Sequence, residues 1–174
     1  MTKGKRPVRA YLIAALLVLM PATSWAADRA LSFAVSGVVA EVKVQTGASV
    51  KKGDVLAVLD LTPFQAKKRA ADAVVKANQV IFDLADRRLV QVQELFDALS
   101  TSAENVEIAE TAQANAKKAL ENARAQQTIA TWELGRATLK APFAGSVASI
   151  PGYPGQVVNV NVGVAAVVVI KAGN

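Results

Sequence analysis

The chain has 174 residues, 52% of them apolar and 20% charged, which suits one globular domain or one domain with an extension. It has no Cys and no His, and its two Met stand at positions 1 and 20. Beyond Met20, therefore, disulfides, thiol nucleophiles, imidazole acid–base chemistry and the usual zinc or copper ligands are excluded. The formal charge of +6 owes four of its 20 cations to the segment 1–9; setting 1–26 aside leaves 16 basic against 14 acidic side chains, which is no surface for gripping nucleic acid.

Residues 1–26 read as an export signal. Lys3, Lys5, Arg6 and Arg9 form a positive leader without an acid. The run AYLIAALLVLM, from Ala10 to Met20, is apolar but short for a bilayer span. Pro21 ends it, and Ser24-Trp25-Ala26 offers small residues at −3 and −1 for cleavage after Ala26. The alternative is an uncleaved inner-membrane anchor; either way the rest of the chain is expected in the periplasm.

Residues 27–62 carry strand signals. Val38, Ala40, Val42 and Val44 alternate with Val39, Glu41 and Lys43, a period of two. Thr46-Gly47 and Lys52-Gly53 mark turns, and residues 55–59 form a second apolar run. Asp54 and Asp60 are the one pair of carboxylates that invites a catalytic reading. One lies in a turn and the other ends a strand, no polar constellation joins them, and no enzyme is expected.

Residues 63–138 change to Ala, Gln, Glu, Lys and Arg, with Pro63 and Gly135 at the two ends. Pro63 suits a first helical turn, and Thr62 is the expected N-cap. In the second half, positions 109, 113, 116, 120, 123, 127, 130, 134 and 137 hold Ala, Gln, Ala, Leu, Ala, Gln, Ala, Leu and Ala, alternating three and four apart: a coiled-coil seam. The first half shows two stripes. One runs Val74, Ala77, Ile81, Leu84, Arg88, Gln91, Leu95, Ala98; the other Val75, Asn78, Phe82, Ala85, Leu89, Val92, Phe96, Leu99. One stripe serves a two-helix hairpin; the other, strongest over residues 89–99, is expected to meet a further copy or a partner. Ser100-Thr101-Ser102 breaks the pattern, with Ser102 followed by Glu104 as the cap of the second helix. Each arm is about 35 residues, roughly 50 Å.

Residues 139–174 return to Val, Gly and Pro, and they copy the first β segment. A single offset carries Gly37 onto Gly145, Val42 onto Ile150, Gly47 onto Gly155 and Val50 onto Val158. Two short β halves that cannot each bury an apolar face are expected to pack as one small sandwich, with the helices projecting from it.

Three stretches together carry a family resemblance: SGVVAEVKVQTGASVKKGDVLAVLD from Ser36, the Ala-rich helical insert, and LKAPFAGSV at residues 139–147. In this combination the chain resembles the bacterial membrane fusion proteins, the periplasmic adaptors of tripartite secretion and efflux systems, of haemolysin-secretion or resistance-nodulation-division type. The resemblance implies an α+β fold: a lipoyl/biotinyl-like β-sandwich split by a long antiparallel α-helical coiled-coil hairpin, its half-motifs at 27–62 and 139–174 and the hairpin at 63–138. It implies a non-enzymatic adaptor that self-associates and bridges an inner-membrane transporter and an outer-membrane channel. Several adaptors carry Arg, Leu and Ser at set spacing at the tip; Leu95 and Ser102 fall on that pattern, with Val106 and Ala109 downstream, and Gln91 stands at the Arg position, with Arg87 and Arg88 one turn earlier. Gln91, Leu95, Phe96, Leu99 and Ser102 are therefore the candidate partner-binding residues. Full adaptors add a β-barrel and a membrane-proximal domain around the lipoyl halves, and no counterpart is expected here. A stand-alone periplasmic scaffold is the alternative. A biotin or lipoate carrier is disfavoured because the position of its lysine, ten places after Gly53, holds Pro63. No cofactor, metal or small-molecule site is expected.

Overall fold

The computed structural model describes residues 28–163 and 165–173. The expected export signal lies outside the described residues. The first half supplies β1 (Asp28–Leu31), β2 (Gly37–Val42), β3 (Ser49–Val50) and β4 (Val55–Leu59). Helices α1 (Thr62–Asp97) and α2 (Ala103–Arg136) follow, then β5 (Thr138–Lys140), β6 (Gly145–Ser149), β7 (Val157–Val158) and β8 (Val168–Ala172). This is the expected α+β fold, a β-sandwich split by a helical hairpin.

The sheets are not one per half. They run β1-β8-β6-β3 and β5-β4-β2-β7, so each mixes strands of both halves. The constant offset between the halves explains the exchange. Gly47 N–H donates to the Val147 carbonyl, and Gly155 N–H to the Val39 carbonyl, both at 2.8 Å. Gly37 pairs with Val158, and Val50 with Gly145. Every one of these bonds maps onto its partner when the halves are interchanged. Gly47 and Gly155 even share a backbone conformation, φ +86° and +88°, that side chains other than glycine rarely adopt. β3 and β7 are two residues each, too short to pair stably alone. Each is held by lending itself to the other half.

The core between the sheets holds Phe33, Val39, Leu56, Leu59, Val147, Val158, Val167 and Ile170. Phe64 from the first turn of α1 and Ala137 just past α2 belong to the same buried cluster, so the root of the hairpin is set into the sandwich. Thr62 is not the N-cap. The cap position is Leu61, without a side-chain bond, and the Asp60 carboxylate instead accepts the Thr62 N–H at 2.9 Å. That bond, with one from the Thr62 hydroxyl, holds the Asp60 carboxyl below the usual carboxylate range. Asp54 accepts the Lys51 N–H within its turn, so both carboxylates have structural roles.

Along the hairpin, every seam position of α2 and its flank is buried or half-buried. Alanine lets the helices approach closely, and Leu120 fills the middle of the seam. The two seam glutamines reach across: Gln113 Nε2 donates to Asp86 Oδ1 and Gln127 Nε2 to Asp72 Oδ1, each at 2.8 Å. The step from Gln113 to Gln127 on α2 equals the step from Asp86 back to Asp72 on α1, which pins the antiparallel register. Near the root, Lys67 Nζ lies 2.7 Å from Glu133 Oε2.

Two outcomes are expected from this packing. A Cβ on Gly145 would overlap the Lys171 carbonyl oxygen, whereas one on Gly135, in α2, meets nothing within 4 Å. Gly145→Ala should destabilise by about 1–3 kcal/mol, and Gly135→Ala should stabilise by about 0.5–1 kcal/mol, both read by thermal unfolding. The second concerns acid. Lys68 first, then the Gln127 amide, hold the Asp72 carboxyl below its ordinary range. Its folded pKa thus lies below the unfolded one, so the ionised group stabilises at neutral pH, and that share is lost as pH falls below about 4. Asp72→Asn should flatten the acid loss of helicity followed by circular dichroism.

Candidate functional site: the hairpin tip

Helix α1 ends in two chain-reversal bonds. Ser100 N–H donates to the Leu95 carbonyl at 2.8 Å, and Leu99 N–H to the Phe96 carbonyl at 2.9 Å. This is the Schellman pattern, which places one residue in the left-handed region, most often a glycine. Here that residue is Leu99, with φ +55°, the one non-glycine residue of positive φ among those described. A left-handed L-residue costs roughly 1–2 kcal/mol. The side chain so held is 93% exposed. Both features run against stability: the backbone is strained and a large apolar group stands in water.

The other candidates surround it. Leu95 and Phe96, in the last turn of α1, are 41% and 42% exposed. Ser102 is the N-cap of α2; its hydroxyl accepts the Asn105 N–H at 3.4 Å, a long bond, while Asn105 Nδ2 donates to Thr101 Oγ1 at 2.9 Å. Gln91 lies one turn below Leu95, and its side-chain carbonyl oxygen accepts from Arg88 Nη1 at 3.0 Å. Thus Leu95, Phe96, Leu99 and Ser102 share the tip, and Gln91 stands on its flank.

The two stripes of α1 exchange roles relative to expectation. Within the stripe strongest over residues 89–99, Val92 is buried and Leu89 half-buried, because these residues form the seam against α2; only Phe96 and Leu99 emerge, at its end. Leu99 itself lies beyond the helix, not on it. The unpartnered stripe is the other one: Val74, Ile81 and Leu84 are all more than half exposed, with Val80 beside them. Sequence reasoning also passed over Ile108 in α2, and Trp132 at the root. Trp132 is half exposed, stands beneath Arg136 at 5.8 Å, and lines concavities of about 370 and 470 Å³. Ile108 and Trp132 could both be seen as apolar residues of α2 that fall off its seam.

A shared-core sandwich with a long hairpin inserted between its halves has known counterparts. Residues 31–170 match the family described as RND MFP, barrel-sandwich hybrid domain, that is, membrane fusion proteins. The chain belongs to this family. No curated protein matches it significantly. Among solved structures, it is similar to a MacA–MexA chimera carrying the Pseudomonas aeruginosa MexA α-hairpin domain, at 27% identity and a TM-score of 0.55, over 84% of this chain and 46% of that one. The membrane fusion protein Spr0693 of Streptococcus pneumoniae (22% identity, TM-score 0.64, 84% of this chain and 59% of that one) shares the fold. So does ZneB of Cupriavidus metallidurans (19% identity, TM-score 0.60, 83% and 60%). The chain spans about half the length of these relatives. Membrane fusion proteins are the adaptors of tripartite efflux systems. No helix among the described residues is long and apolar enough to cross a membrane.

Leu99→Gly separates the two things the tip does. Glycine removes the left-handed strain and should raise stability by roughly 1 kcal/mol, a rise of about 2–4 °C in Tm for a chain of this size. The same change should weaken any capture that depends on the Leu99 side chain. Thermal unfolding and partner crosslinking, measured on one preparation, check the pair of outcomes.

Proposed function

We propose that the chain is a non-enzymatic periplasmic adaptor subunit of a tripartite efflux or secretion assembly, bridging an inner-membrane transporter and an outer-membrane channel through its hairpin. The observation that carries this reading is Leu99, a strained and exposed apolar residue at the end of an arm rooted in a shared core. Its backbone closes α1, but its side chain is almost wholly exposed among the described residues. Leu95, Phe96, Leu99 and Ser102, with Gln91 on the flank, are the docking residues for the channel. Residues 1–26 deliver the chain to the periplasm. Family membership supports the adaptor role, and the likeness to the chimera, whose α-hairpin domain is MexA's, supports the arm as the working part.

Self-association belongs to the same reading. The outer stripe of α1, Val74, Ile81 and Leu84, leaves apolar surface along one side of the arm that a neighbouring copy would cover. Size-exclusion chromatography with light scattering should show an oligomer, and Ile81→Asp with Leu84→Asp should return it to monomers without loss of helix. A wild-type chain that stays strictly monomeric and crosslinks to no envelope protein in cells would overturn the adaptor reading.

A further inference from the structure

The charge of the hairpin is divided along its length. Residues 89–116, which make the distal part of both helices and the turn between them, contain Glu94, Asp97, Glu104, Glu107 and Glu110 and no Lys or Arg. All five are exposed, and none enters an ion pair among the described residues. The cations lie closer to the root: Arg87, Arg88, Lys117 and Lys118 begin where the acidic zone stops. Within that zone stand the exposed apolar groups Leu95, Phe96, Leu99 and Ile108.

Two of the acids are placed against local physics. Glu94 and Asp97 occupy the last turn of α1, where the helix carbonyls favour cations, and that turn has no basic residue. Carboxylates of the wrong sign for the end of α1 therefore stand beside a leucine held in a conformation that is costly for it. Ser102 and Glu104 suit the start of α2, but Glu94, Asp97 and Leu99 oppose local preference within six residues, and a place where such choices gather answers to something besides the fold.

Resting on the tip-docking reading above, we infer that the receptor of this tip is a protein face with an apolar socket rimmed by Lys or Arg. Charge complementarity selects it. An anionic lipid surface would repel five carboxylates, and two copies meeting tip to tip would set acid against acid. The apolar groups supply the buried contact, while the carboxylates steer encounter and reject acidic faces. Gln91, on the flank, is neutral and adds no cation that would offset the rim.

The test places a photo-crosslinking amino acid at Ala98, the exposed neighbour of Leu99, in the full chain, in its own cells, and reads the crosslinked peptide by mass spectrometry. The expected adduct is on a protein segment flanked by Lys or Arg. Adding Glu94→Lys and Asp97→Lys should cut its yield on the order of ten-fold, most steeply at low salt. These two changes suit the end of α1, so the helix content seen by circular dichroism should hold and a lower yield cannot be assigned to unfolding. An adduct on a segment without basic residues, or a yield that ignores the reversal, overturns the charge assignment and leaves tip docking standing. An adduct to lipid or to the tip of another copy overturns the receptor assignment, and no adduct from position 98 overturns both readings.

Discussion

The hairpin can exist as an insert only because its two ends are held side by side, and the holding is done by the backbone. β4 and β5 are antiparallel neighbours, with Val58 opposite Thr138, and Leu59 N–H donates to the Ala137 carbonyl at 2.9 Å. The strands leave this clamp in opposite directions a single sheet spacing apart, about 5 Å. The helices are thereby started antiparallel. Phe64 and Ala137, buried in the sandwich core, convert that start into a fixed angle. The direction in which the arm leaves the sandwich is set by a few bonds at its root.

Along the arm, strength and uniqueness are divided between different side chains. Alanine buries little area per residue, so a seam of Ala109, Ala116, Ala123 and Ala130 contributes close approach more than hydrophobic free energy. Such a seam tolerates sliding. The rungs at Gln113–Asp86 and Gln127–Asp72 do not, because a shift would leave half-buried polar groups unpaired. The hairpin thus holds one register at modest cost, and the tip sits at one height.

What was legible in the sequence follows from what repeats. The constant offset between the Gly-bearing halves and the three-four spacing of the Ala/Leu/Gln seam both survive into the fold, since periodic positions face the same surroundings at every recurrence. The exchange of β3 and β7 between sheets was not legible: a pairing partner leaves no mark on a two-residue strand. Nor did pattern alone decide which stripe of α1 faces α2, since both are mostly apolar and each carries polar members, Arg88 and Gln91 in one and Asn78 in the other. The seam is the one carrying Asn78, Phe82 and Ala85, in register with the small residues of α2. Leu99 was legible as an apolar residue near the tip, but its left-handed backbone was not. Leucine gives no turn signal, and the conformation is imposed by the helix termination around it.

The exchange of strands also sets how far apart in the chain the sandwich must search for its parts. Neither half closes its own sheet, so the first half stays incomplete until the strands that follow Lys140 are present. As free coil, the whole segment from Pro63 to Thr138 would make that closure slow, with a loop entropy that grows as the logarithm of length. The helical hairpin is built from local contacts, the kind that form fastest. Once zipped, it replaces the long loop by two stumps held a few ångströms apart. The arm that reaches outward in the finished molecule is, from the standpoint of the assembling chain, the splint that brings its two β halves within reach of each other.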